Sequence, residues 1–110
     1  IEDFFMKNEH LDAVFFATNY LTQTGLAMVK NNHPQKLQEL GIITFDDNEY
    51  FNIHTPSISA VAQPLEEIGE RLMEIMLELL RETADTEETH QMVLKSSLKV
   101  RESSRAKKRV

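Results

Sequence analysis

The residues best suited to chemistry are two adjacent carboxylates, Asp46 and Asp47, which close the short apolar run GIITFDD. Neighbouring carboxylates can hold a divalent cation, exchange a proton, or accept hydrogen bonds from the hydroxyls of a polyol. Acids that only end a strand and solvate a turn look the same in sequence. A calcium loop does not fit, because Asp46, Asn48 and Tyr50 lack the glycine and the bidentate glutamate of that motif. His10, His33, His54 and His90 are scattered without metal-ligand spacing and read as surface residues in loops or at helix ends. No serine stands in a nucleophile elbow and no glycine-rich phosphate loop can be written. Nothing assembles a catalytic set.

The elements that must position these acids follow from the hydropathy pattern. Residues 42–45 form an apolar run that reads as a strand buried on both faces, with Asp46 where the chain meets water. Ala13–Ala17, AVFFA, reads as a second buried strand, followed by helix-capping chemistry at Thr18–Asn19 and a helix over residues 20–31. Asn19 is a cap by type, but a cap at the carboxyl end of a strand also faces the place where ligands bind in open parallel sheets. His33–Pro34 stops the helix, and residues 36–40 add a helical turn ended by Gly41 as a C-terminal glycine. Residues 48–56 form a polar and aromatic surface loop with a helical turn near Tyr50–Ile53. Residues 58–63 are extended. Pro64 opens an amphipathic helix whose stripe of Leu65, Ile68, Leu72, Ile75, Met76, Leu79 and Leu80 opposes a charged face. Residues 81–90 form an acidic connection, and Met92–Val100 alternates like a half-exposed strand. Residues 1–10 place Ile1, Phe4 and Phe5 on one helical face. The order of elements predicts an α/β layered parallel sheet flanked by helices.

Composition narrows the partners. The chain has 110 residues, a formal net charge of −6 and no cysteine. An acidic balance argues against a nucleic-acid surface within this stretch, and no apolar run approaches the roughly 20 residues that span a bilayer. No disulfide framework or zinc–thiolate site is possible, and a cytoplasmic setting fits. The first ten residues show no secretory signal, and the chain opens in what reads as mid-helix, as a piece of something longer would.

Several motifs, in this order and spacing, give the chain a resemblance to the lactose-repressor/galactose-repressor (LacI/GalR) family of bacterial transcription regulators. DAVFFATNYLTQTG resembles the family's strand ending in A-N-D with a glycine following on the helix; Asn19 matches the Asn, Tyr20 stands in place of the Asp, and Gly25 matches the glycine. GIITFDD is similar to V-x-G-F-D-D, with Thr44 in place of the glycine. HTPSISAVAQPLEEIG resembles T-P-P-L-T-T-V-x-Q-P-x-x-x-I-G, and LKVRES resembles the closing V-R-x-S segment. The connection over residues 31–41 is longer than the family's.

The resemblance implies a periplasmic-binding-protein-like fold of two α/β lobes with a ligand in the cleft. This chain would supply the C-terminal portion, mostly the second lobe, over residues 1–103, with a basic, disordered tail over 104–110. Residues 58–63 would form a crossover, and the helix after Pro64 would pack on the first lobe. Asn19 and Asp46 match positions that bind ligand polar groups, with Asp47, Phe45 and Leu65 as further candidates. Tyr20, Gln23, Tyr50, Phe51 and Ile53 fall on surfaces that form the family's two-fold dimer. The implied function is non-enzymatic: a sugar-like effector controls DNA binding by an N-terminal helix-turn-helix absent from these residues, in a homodimer with no cofactor, metal or membrane partner. A periplasmic sugar-binding transport protein is the alternative, and a phosphoacceptor domain using the paired aspartates is a third reading.

Overall fold

The computed structural model describes residues 1–81 and 91–105. Of the acidic connection expected over 81–90, Arg81 belongs to a helix, while residues 82–90, His90 among them, and the tail beyond residue 105 lie outside the described residues. Along the chain run α1 (Glu2–Lys7), β1 (Ala13–Phe16), α2 (Asn19–Asn32), α3 (Lys36–Glu39), β2 (Gly41–Phe45), α4 (Glu49–Ile53), β3 (Ser59–Ala62), α5 (Leu65–Arg81), β4 (Ser97–Lys99) and a 3₁₀ turn (Glu102–Ser104). The strands lie in the order β1-β2-β3-β4. β1–β2 and β2–β3 are parallel, with Phe16 opposite Thr44 and Thr44 opposite Ala60. The expected α/β layered architecture is present. The chain falls into two compact units, one of residues 1–62 with residue 98 onward, the other Gln63–Ser97.

The first unit contains the core. Register places Val14, Phe16, Ile42, Thr44 and Ala60 on one face of the sheet. Phe16 and Ile42 are buried there with Phe5, Leu26, Val29, Leu37, Leu40, Phe51 and Ile58. The opposite face carries Phe15, Ile43, Phe45, Ser59 and Val61; Phe15 is 58% exposed, Ile43, Phe45 and Val61 are half-buried, and Ser59 is buried. The strands are thus covered much more completely on one face than on the other, contrary to the expectation of burial on both. Hydropathy could not separate the faces, because both are apolar.

Local chemistry sets the helix that supports β1 and β2. Thr18, not Asn19, caps α2: it is extended, with φ −143° and ψ 155°, and its side chain accepts a hydrogen bond from the Leu21 amide. Gly25 is required by a close approach, since a Cβ there would lie 2.5 Å from the Phe16 ring. Thr44, standing where the family pattern has glycine, is fully buried against Thr22. Thr22 Oγ1 lies 2.7 Å from the Thr18 carbonyl and 2.5 Å from Thr44 Oγ1. Thr44 Oγ1 in turn lies 3.2 Å from the Phe45 carbonyl, so either hydroxyl can donate across the pair while the other donates to its own backbone acceptor, and strand and helix are joined through satisfied hydroxyls.

Several expectations are corrected. Gly41 does not cap α3, because no glycine has positive φ; it begins β2, where a Cβ would sit 3.3 Å from that of Ala13. On α1 only Phe5 is buried, while Ile1 and Phe4 are exposed. The strand expected over 92–100 shrinks to Ser97–Lys99, since Met92, Val93, Leu98 and Val100 are all exposed and no buried face sustains the alternation. Ser104, placed in the tail by its sequence, belongs to the 3₁₀ turn. His54 is not a surface residue: it is 9% exposed, 2.7 Å from the Pro56 carbonyl through Nδ1, with a buried and unpartnered Nε2.

The second unit contains α5, begun by the bond from the Ile68 amide to the Pro64 carbonyl. Glu66 and Glu67 occupy its first turn, where they complement the helix dipole. No residue of this helix is buried.

The threonine pair generates a test. Thr44→Val leaves the Thr22 hydroxyl buried without its partner across the pair and is expected to cost about 1–3 kcal/mol in urea unfolding. The double variant T22V/T44V removes both hydroxyls and is expected to cost less than the sum of the single changes.

Candidate functional site

Parallel pairing brings the carboxyl ends of β1, β2 and β3 to one edge of the sheet. Asn19 follows β1 there and Asp46 follows β2, from strands that are direct neighbours. Both residues are half-buried. Because Thr18 performs the capping, the Asn19 side chain is not consumed by the start of α2.

Asp46 has a backbone no hydropathy pattern reveals. Its φ is +71°, in the left-handed region, at a typical cost of about 1–2 kcal/mol for an L-residue. Aspartate tolerates this conformation better than most residues. The Asp46 amide donates to the Val61 carbonyl at 3.0 Å, so the ladder to β3 continues to the point where the chain turns away.

Asp47 is differently occupied. Arg101 grips it with two hydrogen bonds, Nη1 to Oδ1 at 2.7 Å and Nη2 to Oδ2 at 2.8 Å. The Asn48 amide adds a bond to Oδ1 at 2.9 Å. Arg101 Nη1 also reaches the Ile58 carbonyl at 2.8 Å, and its backbone amide donates to Ser59 Oγ at 2.7 Å. The hydrogen bonds from Arg101 hold the Asp47 carboxyl below its ordinary value of 3.8; burial opposes this, while the Asn48 amide and the charges of Arg101 and Lys99 assist. The same pairing raises Arg101 above its ordinary value.

Around this pair, residues 101–104 tie β2 to β3. Ser103 Oγ donates to the Ile42 carbonyl and accepts from the Ser59 amide at 2.8 Å, while the Ser103 amide donates to the Ser57 carbonyl at 2.8 Å. Sequence reasoning singled out neither Arg101 nor Ser103 as site residues. The signal was present in the V-R-x-S ending, but its partners lie more than 40 positions away in the chain.

The remaining candidates are dispersed. Phe45 is half-buried on the open face of the sheet, and Leu65, 70% exposed, belongs to the other unit. Tyr20, Gln23, Tyr50 and Ile53 are exposed, as an interaction surface requires. Phe51 is not available to one: its exposure is 0% and it sits in the core, in edge-to-face contact with Tyr50.

A family model of the periplasmic binding protein-like domain matches residues 8–104. The chain belongs to that family. Its particular kinship is with transcription regulators, as the LacI/GalR resemblance implied. It is 27% identical over 93 residues to the HTH-type transcriptional regulator CelR of Thermobifida fusca, covering 84% of this chain and 27% of that protein. Among solved structures, a transcriptional regulator CelR–cellobiose complex superposes with a TM-score of 0.77 at 24% identity, over 94% of this chain and 31% of that one. A putative transcription regulator from Staphylococcus saprophyticus subsp. saprophyticus gives 0.75 at 20% identity, over 89% and 34%. These structural likenesses show the fold. The chain spans between about a quarter and a third of the length of these relatives.

The Asp47–Arg101 pair makes a pH-dependent contribution of defined sign. Because the folded pKa lies below the unfolded one, the contribution is fully present above the unfolded value of 3.8 and is lost as pH falls through the folded value. Asp47→Asn is expected to lower stability at neutral pH by about 1–3 kcal/mol and to flatten the stability profile below pH 4. Urea unfolding followed by circular dichroism across that range checks both.

Proposed function

We propose that this chain forms one wall of an effector site in a LacI-type transcription regulator and that the effector is a small polar molecule of the sugar class. The observation carrying this reading is that Asn19 and Asp46 follow two adjacent parallel strands at the same edge of the sheet. An ionised carboxylate accepts hydroxyl hydrogens, and an amide both donates and accepts, which suits the alternating donors and acceptors of a sugar. Relatives that are transcription regulators, one solved with cellobiose, support the same class. Phe45 offers apolar surface for a sugar ring, and Leu65 is a further candidate contact.

In this reading the chemistry is recognition, not catalysis. The effector contacts a second lobe as well, since it can shift an equilibrium between lobe arrangements only by binding one arrangement better than the other. DNA contact belongs to a helix-turn-helix outside these residues, and the regulator works in the cytoplasm as a homodimer. Tyr20, Gln23, Tyr50 and Ile53 form part of the dimer surface; Phe51 supports them from the core. Residues 1–103 form the effector-binding and dimerisation portion, followed by a basic tail.

One wall of a site binds weakly. Titration of this chain with cellobiose, followed by amide NMR shifts, is expected to give a Kd weaker than about 1 mM, with changes confined to residues 17–20 and 45–48. Asp46→Asn is expected to abolish these changes. Micromolar affinity in calorimetry would contradict the one-wall reading, and changes centred elsewhere would displace the site.

A further inference from the structure

We infer that Asp47 and Arg101 are positioning residues for Asp46: their bidentate ion pair holds the left-handed turn that aims the Asp46 carboxylate at the ligand edge. The inference deepens the proposed effector site and rests on that reading for its ligand, though not for its geometry.

The geometry is specific. A regular strand would carry residue 46 on the alternation of β2, with its side chain perpendicular to the sheet. At φ +71° that alternation ends, and the direction of the Asp46 side chain is set by its own backbone. Such a conformation persists only where the surroundings over-determine it. Two anchors do so here. On one side of the turn the Asp46 amide bonds the Val61 carbonyl. On the other the very next residue is fixed by Arg101 at 2.7 and 2.8 Å. Arg101 is itself fixed by the Ile58 carbonyl and the Ser59 hydroxyl, and Ser59 is bound to Ser103.

The pair is well suited to holding and poorly suited to binding. Both Asp47 oxygens and both terminal Arg101 nitrogens are engaged, and the side chains are only 27% and 16% exposed. A planar guanidinium against a carboxylate fixes orientation as well as distance, which a lysine ammonium cannot do. In the proposed site Asp47 therefore aims its neighbour and does not itself contact the ligand.

The test separates positioning from stability and from the identity of the ligand. Amide hydrogen exchange of this chain is compared with that of Asp47→Asn, Arg101→Ala and Arg101→Lys. Asp46 amide exchange is expected to accelerate at least tenfold in D47N and R101A, to be intermediate in R101K, and to leave the β1–β2 ladder within about twofold of the wild-type chain. An unchanged Asp46 amide in D47N, or acceleration shared equally by the whole ladder in all three variants, overturns the inference. In a second arm, cellobiose titration is expected to show at least tenfold weaker binding by D47N, and unchanged affinity also overturns it. If the wild-type chain shows no response to cellobiose or to simple monosaccharides at about 10 mM, the sugar reading fails, and the exchange pattern alone decides the positioning role.

Discussion

The guanidinium of Arg101 is the contact on which the rest of the first unit depends. It gathers a carboxylate from the end of β2 and a carbonyl from the approach to β3, and its own amide is held by Ser59. Its neighbour Ser103 joins the Ile42 carbonyl to the Ser59 amide. Each strand is short, and three parallel strands of four or five residues provide few ladder bonds of their own. The segment from Arg101 to Ser104 adds cross-links where the sheet would otherwise fray.

Magnitude distinguishes this ion pair from the others. Lys7–Asp3 has side chains 72% and 76% exposed, and Arg71–Glu74 has 45% and 60%. Pairs so open to water contribute about 0–1 kcal/mol. Arg101 and Asp47 are mostly shielded and bonded through both arms, yet enough solvent remains that the desolvation penalty of a fully buried pair does not apply. The cost of the left-handed Asp46 is of the same order as the gain from such a pair, which makes it reasonable that the two sit at adjacent positions.

What was legible in the sequence was whatever follows from periodicity and from residue type. AVFF and GIITF announced strands, Pro64 with its stripe announced a helix, and His33–Pro34 marked the end of α2. Asn19 and Asp46 stand out only through their match to the family's motifs, since by type alone a helix cap and a strand-ending acid look the same. Properties set by distant partners were not legible. The buried state of His54 depends on the fold of the loop that contains Pro56, and the partner of the Thr44 hydroxyl on a side chain presented by α2. Phe51 looked like part of an aromatic surface cluster because Tyr50 and Ile53 flank it, yet a single turn of α4 sends it inward and them outward. Asp47 could not be told from Asp46 by type. Only the partner from the far end of the chain separates them.

The division into two units gives this arrangement a further consequence. The chain leaves the first unit after Ala62 and re-enters it at Leu98. Val61, whose carbonyl holds the Asp46 amide, lies just before the first crossing, and Arg101, which holds Asp47, lies just after the second. Both connections are therefore anchored within the first unit beside the same turn. An acid gripping a ligand at that turn would share its supports with both crossings, so strain at either could reach it through no more than one hydrogen-bonded neighbour. Coupling of that kind requires no long pathway through the core. It requires only that the turn be held from both sides: the Val61 carbonyl takes the Asp46 amide, and the Arg101 guanidinium takes the carboxylate of the next residue, Asp47.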